Sequence, residues 1–244
     1  MTGPILEPAV ERACLNALTR YTQAAKWESW GLSALRRGGN SVLLTGPPGC
    51  GKTETAKWMA QQLGKGLKRL NTDKVGSREP GGSERNVREF FASARKHKNP
   101  TLFMDECDDL FVDRATITES TWKIGTAEAI LLEMNTYQGL IICATNYPQN
   151  LDSALNSRFI AIVEIKMPTK KSLIAIWKQK IPTELPYQPT EAQLATLANF
   201  PLSGRQVENA IINCCSNCIS AGIEPEFDLM VKACKEQVIQ ANRK

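Results

Sequence analysis

The sequence predicts the α/β class: a parallel sheet sandwiched by helices, followed by a small all-α domain. Short apolar runs, each about the length of a buried strand, alternate with segments of helical apolar spacing as far as Met167-Pro168. Beyond Pro168 only helical spacing continues. A strand, a glycine-rich loop and a helix also follow one another over residues 40–63. The expected domains are therefore 1–167, the α/β part, and 168–244, the helical part.

Taken in order, residues 8–35 carry mixed helical signals, with Val10, Cys14, Leu15 and Leu18 on one spacing. Residues 36–40 read as a turn. Residues 42–45 form the first buried strand, and Ala56, Met59, Ala60 and Leu63 mark a helix over 52–63. A weaker strand signal covers 67–70. Helix 84–96, strand 101–104, helix 126–135, strand 139–144 and strand 160–165 follow. The helical part reads as 170–180, 190–198, 203–220 and 225–241, punctuated by Pro182, Pro186, Pro189, Pro201, Gly222 and Pro225. Two long loops, 71–83 and 111–124, have the length usual for functional segments.

Composition narrows the chemistry. The chain of 244 residues is 42% hydrophobic and 23% charged, ordinary values for a globular protein. No apolar run reaches membrane-spanning length, and the first residues lack the blocks of a signal peptide, so a cytoplasmic setting is expected. The net charge of +5 permits an acidic partner without requiring one. Eight cysteines are scattered, several inside apolar runs, which fits reduced core thiols. Cys215-x-x-Cys218 has metal or redox spacing, but no second pair or nearby histidine completes a zinc set, and small residues on a helix explain it better. The single histidine, His97, reads as a solvated helix end. Ser-His-Asp hydrolysis or a multi-histidine metal centre could draw on that residue alone.

The strongest chemical signal is Gly46-Pro47-Pro48-Gly49-Cys50-Gly51-Lys52-Thr53, a complete G-x-x-x-x-G-K-[ST] phosphate-binding loop. Glycines let backbone N–H groups converge on phosphate oxygens. Lys52 supplies a point charge, and Thr53 offers a hydroxyl to Mg²⁺. The helix beginning at Lys52 points its positive end at the same place. Cys50 reads first as a tolerated small residue. Beside Lys52 and a helix N-terminus its thiol is nonetheless expected to ionise readily, so alkylation is expected to inhibit nucleotide turnover.

Strand 101–104 ends in Asp105-Glu106. Ligands of a parallel sheet bind outside the carboxyl ends of its strands, which puts Asp105 toward the Mg²⁺ of Thr53 and lets Glu106 activate a water. Alone, the two acids could simply begin a solvated loop. Strand 139–144 is followed by Thr145-Asn146. Asn146 could meet the γ-phosphate or the attacking water, or cap the turn before Pro148. Arg158, read alone, is a surface charge.

Together these pieces resemble the AAA+ ATPases, and within them the AAA clade. The phosphate loop, Asp105-Glu106, Ala144-Thr145-Asn146-x-Pro148, Leu151-Asp152-x-Ala154-Leu155 and Ser157-Arg158-Phe159 occur in that family's order and spacing. Ser83-Glu84-Arg85-Asn86-Val87-Arg88-Glu89-Phe90-Phe91 looks like the helix preceding the acidic strand. Ser203-Gly204-Arg205-Gln206-Val207-Glu208-Asn209-Ala210 looks like the second sensor of the helical lid. The resemblance covers roughly residues 6–241. It implies a P-loop NTPase fold with a lid, binding of ATP or ADP with Mg²⁺, phosphate contacts from Lys52 and the loop, Mg²⁺ ligation through Thr53 and Asp105, and Glu106 as the group that activates water. It further implies Asn146 as first sensor, Arg158 as an arginine finger reaching a neighbouring subunit, and Arg205 as second sensor. An arginine suits both tasks because its planar fork carries a permanent charge. A finger acting in trans implies a homo-oligomeric ring, most often a hexamer in this family.

Two departures bear on the target. Protein-remodelling members place an aromatic residue before Val-Gly in the first pore loop, whereas Asp73-Lys74-Val75-Gly76 has Lys74 there. The loop is also lengthened by Ser77-Arg78-Glu79-Pro80-Gly81-Gly82. Lys74, Arg78 and Glu79 either grip a polar partner or are simply solvated. A single arginine precedes Phe159, where many members have two. The leading expectation is a Mg²⁺-dependent ATPase ring that remodels or disassembles a protein target, chosen by the loops, by residues 1–35 or by a separate adaptor. The alternatives are a nucleic-acid-associated loader or transposition regulator, betrayed by salt-sensitive stimulation with DNA or RNA, and a nucleotide-gated scaffold. No aromatic-interleaved basic patch supports the former, and intact Glu106, Arg158 and Arg205 argue against the latter.

Overall fold

The computed structural model describes residues 3–32, 39–70, 81–108, 111, 121–151 and 153–241. The Lys74–Glu79 segment and most of loop 111–124 lie outside these. Among the described residues, two compact units form. One draws on 8–46 and 52–165, the other on 1–7, 47–51 and 166–244.

The first unit is built on a five-stranded sheet in the order β2-β3-β4-β1-β5, with every pairing parallel. The strands are β1 (Ser41–Thr45), β2 (Leu67–Leu70), β3 (Thr101–Met104), β4 (Ile141–Thr145) and β5 (Phe159–Glu164). The central strands β1, β3 and β4 are buried throughout, which explains their continuous apolar character. Strand β2 at the sheet edge buries only Leu70 fully, hence its weaker sequence signal.

Helices α1 (Pro8–Thr22), α3 (Lys52–Gln62), α4 (Gly82–Lys96) and α5 (Thr121–Thr136) cover the sheet, and α2 (Ala24–Ser29) follows α1. Leu43, Leu102, Met104, Ile141 and Cys143 face one core with Val87, Phe91, Ile130 and Tyr137 of the α4–α5 side. There the Phe91 and Tyr137 rings meet edge to face, 5.7 Å between centroids. The alternate strand residues Val42, Leu44, Phe103 and Ile142 are buried on the other side.

Several boundaries differ from expectation; β4, for one, begins at Ile141 rather than 139. Helix α4 begins at Gly82, because Gly81 takes a left-handed φ of 74° just ahead of it. Helix α5 begins five residues earlier than its apolar spacing suggested, through Gly125 and Thr126, weak helix formers held by tertiary packing. The 8–35 region breaks into α1 and α2 at Gln23. His97 ends α4, its Nδ1–H donating to the Ser93 carbonyl at 2.7 Å.

The second unit contains α6 (Lys170–Lys180), α7 (Glu191–Leu197), α8 (Gly204–Ala221) and α9 (Phe227–Ala241). Their apolar stripes close on Leu173, Trp177, Leu197, Leu202, Val207, Cys214, Met230 and Cys234. Polar residues mark the ends. Thr190 and Ser203 form capping boxes with Gln193 and Gln206, and left-handed Gly222 stops α8. Within this unit the Glu7 carboxylate accepts from Thr169 Oγ1 and Ser172 Oγ, both at 2.7 Å. These hydrogen bonds hold its carboxyl below the usual range. All eight cysteines are free thiols, and only Cys50 and Cys215 are partly exposed.

Candidate nucleotide site

Sheet register assembles the site. Thr45 of β1 pairs with Thr145 of β4, so Gly46 and Asn146 leave the sheet at one level. Asp105 leaves β3 beside them. Gly46 itself is dictated by crowding: its φ is 141°, and a Cβ would stand 1.9 Å from the Ile165 carbonyl oxygen.

Lys52 is buried at the first turn of α3, only 7% exposed. Its Nζ donates to the Gly46 carbonyl and to Asn146 Oδ1, each at 2.7 Å. The ammonium is thus compensated in place, with Asn146 already drawn to it. Thr53 Oγ1 donates to Asp105 Oδ2 at 3.5 Å. A hydroxyl and a carboxylate so placed are hard oxygen donors suited to Mg²⁺, which takes few protein ligands and completes its shell with phosphate and water. Among the described residues no group of three or more His, Cys, Asp or Glu offers a metal an all-protein cage.

Glu106 follows with an exposed side chain and a φ of 52°. A left-handed glutamate is uncommon and costs about 1–3 kcal/mol. The turn that imposes it is fixed from both sides: the Cys107 N–H donates to the Ala144 carbonyl at 2.9 Å, and the buried Asp108 Oδ1 accepts from Thr145 Oγ1 at 2.6 Å. Thr145 Oγ1 also accepts from the Tyr147 N–H at 2.9 Å. One hydroxyl therefore ties β3 to β4 and sets the turn that carries Asn146.

Arg158 lies elsewhere in the same unit. It ends a 3₁₀ turn, Ser153–Arg158, and its Nη1 donates to Asn135 Oδ1 at 2.9 Å. The two residues line a cavity of about 210 Å³ with Gly39, Ser41, Met134 and Ser157. Phe159 pairs with Ser41, the first residue of β1. Arg158 thus sits at the amino edge of the sheet, whereas Gly46 and Lys52 lie past the carboxyl edge. The five residues of β1 separate those edges by roughly 15 Å.

Pro47, Pro48, Gly49, Cys50 and Gly51 belong to the second unit. There the Gly49 carbonyl accepts from the Arg205 N–H at 3.3 Å. Gly49 has a φ of 78°, and a Cβ on it would meet Ser203 Oγ at 2.7 Å and Arg205 Cβ at 3.0 Å. Arg205 is the second residue of α8, directly behind the Ser203 cap. Cys50 Sγ lies 3.4 Å from Met167 Sδ.

Lys52, Thr53, Asp105 and Asn146 are therefore brought together, as are Gly49 and Arg205, while Arg158 stands apart. Sequence reasoning missed Arg69, whose Nη2 lies 3.0 Å from Asp105 Oδ2, and the supporting residues Asp108, Thr145 and Asn135. The clustered acids after β3 and the Ala144-Thr145-Asn146 run were the available signals for two of these. Nothing local marked Arg69 or Asn135.

Comparison with known proteins bears on the family and the fold. The family described as "ATPase family associated with various cellular activities (AAA)" matches residues 42–167. The human ATPase family gene 2 protein homolog A (Homo sapiens) is 34% identical over 185 residues, covering 72% of this chain and 20% of the relative. Fidgetin-like protein 1 of Drosophila melanogaster is 36% identical over 152 residues, covering 60% of this chain and 28% of the relative. The chain thus spans between a fifth and a third of the length of these two relatives. In fold it resembles the FIGL-1 AAA domain solved in complex with ADP, with a TM-score of 0.74 at 21% identity, over 94% of this chain and 81% of that one.

Proposed function

The chain belongs to the AAA family of ATPases, and from that premise we propose that it hydrolyses Mg²⁺·ATP as one subunit of a cytoplasmic ring, a hexamer, that remodels or disassembles a protein target. Residues 1–167 would form the nucleotide-binding part and 168–244 the lid. The observation that carries the ring is the position of Arg158, at the sheet edge opposite Lys52. An arginine side chain does not bridge that distance, so a phosphate it meets belongs to another copy.

In this reading the amides of 47–51 and the Lys52 ammonium hold the β- and γ-phosphates, Lys52 exchanging the Gly46 carbonyl and Asn146 for phosphate oxygens. Thr53 and Asp105 would hold Mg²⁺, which would supply positive charge against the phosphate oxygens. Glu106, exposed at its strained turn, orients a water and takes its proton as the water oxygen bonds to the γ-phosphorus and the bond to ADP breaks. Asn146 steadies the water or the γ-phosphate. Arg205, anchored by its backbone at Gly49, reaches a phosphate from α8, and the partner copy's Arg158 meets the charge that develops.

Mixing two inactive variants tests this. Glu106→Gln and Arg158→Ala should each lower turnover by about a hundredfold or more. An equimolar mixture should regain activity, because an Arg158→Ala site receives an intact finger from a Glu106→Gln neighbour. No recovery in co-assembled mixtures, with light scattering verifying assembly, would overturn the shared site.

A further inference from the structure

Asp105 has a second claimant. Arg69 Nη2 lies 3.0 Å from Asp105 Oδ2, the same oxygen that faces Thr53. The sheet creates this pair. Arg69 pairs in register with Phe103, so Asp105, two residues further along the chain, emerges on the same side. The pair is asymmetric in its surroundings: the Arg69 side chain is 61% exposed and that of Asp105 only 23%. The arginine is therefore free to swing into solvent, while the acid is held.

A guanidinium and a divalent cation both seek that oxygen, and each lowers its attraction for the other. We propose that Arg69 is a counter-ion to Asp105 that Mg²⁺ must displace, and that it thereby sets the Mg²⁺ concentration at which nucleotide binding saturates. This rests on Thr53 and Asp105 being the metal ligands. With nucleotide absent, Arg69 neutralises the acid beside Thr53 and keeps the site from collecting free cations. When Mg²⁺ arrives with nucleotide, Arg69 yields Oδ2 and turns outward. Because the arginine is largely solvated, the effect is modest: an exposed ion pair corresponds to about a two- to fivefold change in a binding constant.

The test is a titration of a fluorescent ADP analogue on the full chain at a series of MgCl₂ concentrations, read by fluorescence rather than turnover. Arg69→Gln should lower the half-saturating Mg²⁺ concentration about two- to fivefold, leave nucleotide affinity in EDTA unchanged, and keep the wild-type melting temperature in EDTA to within a few degrees. Arg69→Lys, which keeps the charge, should fall between and carries the test should Arg69→Gln not fold. A half-saturating concentration that is unchanged or raised in Arg69→Gln would overturn the proposal alone. An Asp105→Asn variant as responsive to Mg²⁺ as wild type would overturn the metal assignment itself, and the proposal with it.

Discussion

The sheet unit and the helical unit bury polar groups for different ends. Among the described residues the sheet unit buries nine polar or charged side chains, Thr45, Lys52, Asp108 and Thr145 among them at or past the carboxyl ends of the strands, whereas the helical unit buries Ser172, Ser203 and Gln237. Ser172 and Ser203 serve helix starts. A parallel sheet releases several chains at one edge, and their side chains and amides converge there. A helix bundle buries a stripe and turns everything else outward. The first arrangement makes a place for phosphate chemistry. The second makes a packed body that carries loop residues 47–51 and, at a capped helix start, Arg205.

If that division is right, damage should separate by unit. Trp177, fully buried in the helical core, gives the largest effect. Trp177→Ala should cost about 3–5 kcal/mol by urea unfolding, and the folded fraction should still turn over ATP. Thr145→Val should cost about 1–3 kcal/mol, because it leaves the buried Asp108 carboxylate without its donor. Turnover should fall as well, since the turn holding Asn146 loses its hydroxyl. The comparison breaks if Thr145→Val destabilises without touching turnover. Ser203→Ala gives the smallest effect, about 1 kcal/mol from a lost cap. It sharpens the comparison if ATP affinity also declines, since Arg205 then depends on that cap for its place beside Gly49.

Most of the sheet and the loop could be read from the residues, because both rest on local pattern. The phosphate loop is contiguous, and the acids after Met104 and the asparagine after Thr145 each follow an apolar strand. Arg69 could not be read, because its partner depends on β2 pairing with β3 and on the register of that pair. Asn135 as the holder of Arg158 depends on how α5 meets the start of β5, twenty-three residues away in sequence. Glu7 finds its partners 162 and 165 positions on. The left-handed Glu106 was hidden for another reason, since glutamate does not advertise positive φ as glycine does.

The distribution of the thiols supplies a pair of clocks. Cys14, Cys107 and Cys143 are sealed in the sheet unit; Cys214, Cys218 and Cys234 are sealed in the helical unit. Burial pushes Cys14 up to about 11 and Cys214 and Cys234 up to about 12, so in the closed fold these react slowly with alkylating reagents. With Cys50 and Cys215 replaced by serine, each remaining thiol is labelled only when its own surroundings open. Timed pulses followed by mass analysis would then record the breathing of each unit separately, with nucleotide and without, and no added probe.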